Sequence, residues 1–150
     1  MTIESTWMKN MAAKLRVLFD VNVVLDVLQK REPFYESSAR LLGHAETGRV
    51  QGCLAAHSLT TLFYLISKHL SAAEARVTLT SLMQFLQIAA VTQETIEQAL
   101  NLPYKDFEDA VQMSTALQWK ADYLVTRNVR DYQPAPVKTV QPVDLLAAIA

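Results

Sequence analysis

Glycine is scarce in this sequence, at 3 residues in 150. A glycine-rich phosphate loop and a Gly-x-Ser-x-Gly nucleophile elbow both need glycines at fixed offsets, because the backbone must turn sharply or approach a ligand closely there. Neither can be assembled, and nucleotide-binding and hydrolase-fold readings fall with them. Cysteine occurs once, as Cys53, which rules out a disulfide or a zinc framework built on thiolates. It lies in the apolar run Gly52-Cys53-Leu54-Ala55-Ala56 with no activating neighbour, so the expectation is a buried thiol in a strand. The three histidines, His44, His57 and His69, belong to separate segments and show no metal-ligand spacing. No stretch of about 18 apolar residues exists to span a membrane. Met1 to Arg16 mixes Glu4, Lys9, Asn10 and Lys14 among its apolar residues, which does not make a signal peptide. The expected location is cytoplasmic, with no membrane association.

Charge of one sign is also lacking. Lys and Arg number 14 against 15 Asp and Glu, for a net charge of −1 and a pI near 6.3. The broad basic field of a duplex-DNA protein is therefore absent. Local clusters survive this balance, because carboxylates gathered in a metal site cancel basic residues only in the total. Lys30 with Arg31, and Arg127 with Arg130, are the phosphate candidates; their alternative role is ordinary solvated surface charge.

What the chain does have is 51% hydrophobic residues, enough for one domain with a substantial core. That domain is expected over 15–150, behind an N-terminal extension at 1–14. Leu15 to Phe19 reads as a strand ending abruptly at Asp20, followed by a helix through Val23, Val24, Val27 and Leu28. Helical spacing resumes from Phe34 to Thr47 before Gly48 stops it. Val50 to Ala56 is the second strand. A helix beginning near Ser58 follows, then another over Ala72 to Phe85 capped by Ser71. Leu86 to Val91 is the third strand, Thr92 caps a helix to about Leu100, and the next helix runs from Phe107 to Trp119. Asp122 to Thr126 is the fourth strand, 134–140 holds at most a short edge strand, and Val143 to Ile149 closes as a helix. The alternation predicts an α/β fold: a three-layer α/β/α sandwich on a mainly parallel sheet of four to five strands. Phe34, Tyr35, Leu41 and Leu42 suggest an apolar surface for self-association or a partner.

In parallel sheets, sites form beyond the carboxyl ends of the strands. Asp20 stands there after the first strand, either serving a site or capping the helix near Asn22. Asn22 can coordinate through its amide oxygen, hydrogen-bond Asp20 or be the cap itself. Asp106 and Asp109, three apart at a helix start, lie on one side of that helix and could converge on a hard cation. They also fit a capping box, in which acids in a first turn are favoured by the dipole. Glu108 lies about 100° further round and is expected to face solvent.

These segments together are recognisable. Val17-Leu18-Phe19-Asp20-Val21-Asn22-Val23-Val24-Leu25-Asp26 resembles the opening motif of PIN domains, Asp106-Phe107-Glu108-Asp109-Ala110-Val111 their internal acidic motif, and Tyr123-Leu124-Val125-Thr126-Arg127-Asn128 their last. The three occur in family order from about Arg16 to Val140. The resemblance implies an endoribonuclease dependent on Mg²⁺ or Mn²⁺, acting on single-stranded or structured RNA. Small bacterial members are commonly toxins inhibited by an antitoxin encoded beside them, which makes an antitoxin or a second copy of the chain the implied protein partner. It places catalytic and metal-binding roles on Asp20, Asp106 and Asp109, a neutral oxygen at Asn128 where a fourth acid often stands, and supporting roles on Thr126 and Asn22. The chain departs from the family in the helix after the second strand, where Ser58 to Tyr64 carries no acid in place of the usual Glu.

Two readings compete with an active nuclease. The missing Glu motivates a weak or inactive PIN domain that binds RNA or protein. Asp20-Val21-Asn22-Val23 also approximates the nucleophile motif of haloacid-dehalogenase-like phosphatases, although the second acid is Asn and no later Gly-Asp motif exists. A response-regulator receiver fits less well, lacking an acid after the third strand.

Overall fold

In the computed structural model, which describes residues 14–149, the alternation becomes a sheet of five parallel strands in the order β3-β2-β1-β4-β5. The strands are β1 (Arg16–Phe19), β2 (Gln51–Ala55), β3 (Leu86–Ala89), β4 (Tyr123–Val125) and β5 (Lys138–Val140). Seven helices are described: α1 (Val21–Leu28), α2 (Tyr35–Glu46), α3 (Ala56–His69), α4 (Ala72–Leu82), α5 (Gln93–Leu100), α6 (Phe107–Gln118) and α7 (Pro142–Ile149). Except for Lys14, the N-terminal extension expected at 1–14 lies outside the described residues.

Alternation along β1 divides the core between two faces, since successive strand residues point to opposite sides. Val17 and Phe19 pack with Val24 of α1, Leu41 of α2, Leu62 of α3, Leu82 of α4 and Leu145 of α7. Leu18 points the other way, to Cys53, Leu124, Met113 and Ala116 of α6, and Tyr132. Helices on both faces of a parallel sheet make the three-layer sandwich. Cys53 is fully buried and unpaired, and burial pushes its thiol up to about 12.

The departures from the sequence reading have local causes. Helix α3 starts at Ala56, before Ser58, whose buried hydroxyl is instead given to Gln112 Oε1 at 3.4 Å. Helix α4 stops at Leu82, where Gln84 and Phe85 donate to the carbonyls of Ser81 and Leu82 in a tighter turn. Ser71 and Thr92 do cap their helices, accepting from the backbone of Glu74 and Thr95. Leu41 and Leu42 are core residues, at 0% and 6% exposure, so the apolar surface expected from α2 reduces to Phe34 and the half-buried Tyr35.

One glycine is fixed by packing. A Cβ at Gly52 would stand 2.7 Å from Leu86 Cδ2, 2.9 Å from the Phe19 ring and 3.1 Å from Ala45 Cβ. With walls on three sides, Gly52→Ala is expected to cost about 1–3 kcal/mol. Thermal unfolding should show a fall of roughly 3–9 °C, and an unchanged midpoint would mean the three layers adjust freely.

Candidate functional site

The order β3-β2-β1-β4-β5 reverses direction between β1 and β4, and at such a switch point a crevice opens beyond the carboxyl ends of the strands. Asp20 leaves β1 there and Thr126 leaves β4. The Asp20 N–H continues the sheet ladder by donating to Val125 O at 2.9 Å. Its side chain makes no capping bond to α1. Instead Oδ2 accepts from the buried Thr126 hydroxyl at 2.7 Å, and that hydroxyl oxygen accepts from the Asn128 N–H at 3.1 Å. The capping role open to Asp20 in the sequence is therefore not the one the fold uses. Asn22 sits half-buried in the first turn of α1. Asn128 is exposed with φ −108°, so no left-handed turn explains an amide there.

From the other side, the first turn of α6 brings Asp109. Its Oδ1 accepts from the Tyr132 hydroxyl at 3.1 Å, and Tyr132 Oη in turn accepts from Gln112 Nε2 at 2.7 Å. A buried hydrogen-bond chain thus runs from Ser58 on α3 through Gln112 and Tyr132 to the carboxylate. Burial raises Asp109 from 3.8 to about 6; Asp106, Asp20 and Asp131 add to the rise, and the Tyr132 hydrogen bond opposes it. These acids share one electrostatic neighbourhood.

Asp106 is spent differently. Its Oδ1 caps α6 by accepting from the Glu108 N–H at 2.9 Å. Among the described residues no three His, Cys, Asp or Glu side chains stand close enough to hold a metal ion. Asp106 and Asp109 nevertheless line the same cavity, and Asp106 and Asp20 both act electrostatically on the Asp109 carboxyl, while Oδ1 of Asp106 is held in the cap. Among the described residues, Asp20 and Asp109 each have one carboxylate oxygen that makes no hydrogen bond within the protein, on a buried and a half-buried side chain respectively. That donor set suits a hard cation such as Mg²⁺, which takes one or two carboxylates and completes its shell with water and substrate phosphate. A cavity of about 380 Å³ opens beside them, walled by Tyr104, Lys105, Asp106, Asp109, Arg130 and Asp131.

The elevated Asp109 carboxyl has a measurable consequence. An acid whose folded pKa exceeds its unfolded value binds more protons in the fold, so stability is full below the unfolded value and falls as pH rises through the folded one. Without metal, stability should decline between about pH 4 and pH 7 on account of this group. Melting curves in chelator should show the decline in the wild type, its reversal by Mn²⁺, and a shallower decline for Asp109→Asn. A wild-type profile already flat in chelator would show that Asp109 is not strained.

The family described as PIN domain matches residues 16–130. The chain belongs to the PIN domain family. No curated protein matches the sequence. Among solved structures, a toxin-antitoxin complex from Klebsiella pneumoniae aligns with TM-score 0.65 and 23% identity over 84% of this chain and 97% of that one. VapBC2 from Rickettsia felis, bound to a DNA fragment from its promoter, gives 0.62 and 17% over 85% and 98%. VapC20 from Mycobacterium tuberculosis, a toxin that cleaves the sarcin-ricin loop, gives 0.57 and 13% over 72% and 86%. At these identities the likeness establishes the shared fold.

Within this PIN domain the basic candidates separate. Arg130 lines the acid-walled cavity. Lys30 is exposed in the turn after α1 with φ +49°. Arg127 turns inward, its Nε 2.9 Å from the fully buried Asp26, and Arg31 approaches the same carboxylate at 3.8 Å. Sequence reasoning missed Asp26, Gln112 and Tyr132. Gln112 was legible, lying three residues after Asp109 on the same helix side; Tyr132 and Asp26 show nothing in spacing that marks their partners. Glu108 is exposed as expected, yet it accepts from Thr61 of α3 at 3.3 Å. It brings a carboxylate to the helix that lacks the family's glutamate.

Proposed function

We propose that this PIN domain is a Mg²⁺- or Mn²⁺-dependent endoribonuclease and the toxin of a toxin-antitoxin pair. The observation that carries this reading is the placement of Asp20 and Asp109 at the switch point of the sheet, each with one oxygen held by a neutral hydroxyl. Asp20 and Asp109 hold the cation, with Asp106 and Asn128 at the margin and Glu108 the nearest carboxylate to α3. A divalent ion bound there supplies a water acidified enough to attack phosphorus near neutral pH and charge to stabilise the departing oxygen.

The chain's own groups do the positioning. Thr126 fixes the Asp20 carboxylate in one rotamer, and Tyr132, braced by Gln112, does the same for Asp109. Preset ligands avoid reorganisation as charge develops. Arg130 and Lys105 hold phosphates of single-stranded or structured RNA along the cavity. The named relatives are toxin-antitoxin proteins, which supports a small antitoxin as partner.

The test is cleavage of a labelled single-stranded RNA by stringently purified protein with Mg²⁺, Mn²⁺ or chelator. Cleavage confined to the metal-containing reactions is expected. None in either metal, together with RNA binding, would favour a binding module, the reading motivated by the acid-free α3. Hydrolysis of a chromogenic phosphomonoester instead would favour a phosphatase.

A further inference from the structure

The positive ends of two helices converge on a second cavity that the acids do not line. It measures about 270 Å³ and is bounded by Phe34, Ser37 and Ser38 of the α2 start, Gln141 and Val143 of the α7 start, and Arg127. Neither helix is capped by a side chain at this point. Phe34, at the N-cap of α2, offers no acceptor, and Gln141 directs its amide to Arg127 O at 3.4 Å. Among the described residues, the N–H groups of Glu36, Ser37 and Val143 find no acceptor. Two dipoles facing each other are mutually unfavourable, and free first-turn N–H groups are the usual cradle for an anion.

Two further observations point to a ligand. Ser38 is wholly buried on the cavity wall, and its Oγ has no hydrogen-bond partner. The Arg127 Cζ stands 4.2 Å from the Phe34 ring centroid, with Nε toward Asp26. Among the described residues its Nη groups make no hydrogen bond. The cavity is lined by free backbone N–H groups, serine hydroxyls and the Arg127 guanidinium, with the Asp26 carboxylate against the Nε of Arg127, and this donor set suits a tetrahedral oxyanion.

We propose that this cavity binds a backbone phosphate of the RNA, one flanking the phosphate held at Asp20 and Asp109. Arg127 directly follows Thr126, the residue bonded to Asp20, so cavity and acids adjoin along one strand end. The proposal rests on the ribonuclease reading for its source of phosphate, though not for the existence of the anion site.

Substitution of Ser37 separates the two. Ser37→Asp places a carboxylate in the first turn of α2, where it suits the dipole and so keeps the fold, while filling the cavity with negative charge. Ser37→Asn is its neutral counterpart. Inorganic phosphate added in chelator should shift the amide resonances of Glu36, Ser37 and Val143 saturably, against chloride at equal ionic strength. Ser37→Asp should abolish the shifts, and Ser37→Asn should keep them. Fluorescence anisotropy of a labelled single-stranded RNA in chelator should show affinity about tenfold weaker for Ser37→Asp, the scale of losing charge-assisted bonds. Wild-type amides unmoved by phosphate would overturn the site. Shifts without any difference in RNA affinity would overturn the RNA assignment and leave a site for a free anion. Because both measurements omit metal, failure to cleave RNA would count against the ribonuclease reading alone.

Discussion

Asp20→Asn is expected to lower metal-dependent RNA cleavage at least about a thousandfold, equivalent to roughly 4 kcal/mol of barrier. Asparagine keeps an oxygen that can accept from Thr126, so the 2.7 Å bond and the end of β1 survive. What disappears is the negative charge beside Asp109 at the switch point, and with it most of the attraction for a hard cation. Circular dichroism and thermal unfolding should match the wild type while a single-turnover cleavage assay with Mn²⁺ falls to background. Equal activity in wild type and variant, each purified stringently, would remove Asp20 from the chemistry. Thr126→Val gives the milder companion: the carboxylate stays but loses its brace, so more Mn²⁺ should be required at unchanged maximal rate.

Arg127→Met should carry a large stability loss. Asp26 is completely shielded, and its contact with Arg127 is close without being aligned as a hydrogen bond. Removing the guanidinium strands that carboxylate with only Arg31 at 3.8 Å, and breaking one side of a buried pair costs about 3–5 kcal/mol. For a chain of this size that is a fall of roughly 10 °C in Tm. Burial already holds the Asp26 carboxyl above its ordinary value, with Asp20 adding to the rise and both arginines opposing it. Without Arg127 it rises further. The fold then favours the protonated acid, so the loss is small below the unfolded pKa and grows as pH rises through the folded one. The variant should approach the wild type near pH 4 and diverge most near pH 8. The double variant Asp26→Asn with Arg127→Met should recover most of the loss at pH 8. A single variant as stable as wild type at pH 8 would show that the pair contributes little.

Several parts of this protein are local enough to be legible in the chain. Leu15 to Phe19 shows a strand because apolar residues run together and stop, and Asp20 is marked because an acid interrupts at a strand end. Ser71 and Thr92 are caps by short-range hydrogen bonding, which depends on residues three positions away. The parallel three-layer architecture follows from alternation of strands and helices, since each parallel return needs a crossover. The scarcity of glycine settles which phosphate-binding devices are impossible.

Other features depend on atoms far apart in sequence, and no periodicity encodes them. Asp106 looks equivalent to Asp109 at its helix start, yet one is consumed as a cap and the other is met by Tyr132, 23 residues on. Thr126 reaches Asp20 across 106 residues only because β1 and β4 are neighbours in the sheet. Arg127 reads as a surface cation until the fold puts the buried Asp26 beneath it, and the starts of α2 and α7 face one cavity only once α7 has packed against α2. The sequence by itself determined the elements, their layering and the acid at the first strand end, because propensity, capping and hydrophobic pattern act over a few residues. Which carboxylate is held by a cap, which guanidinium meets a buried acid and where two helix dipoles meet were decided by tertiary structure alone, because hydrogen bonds and Coulomb energies depend on distances that only the closed sheet sets.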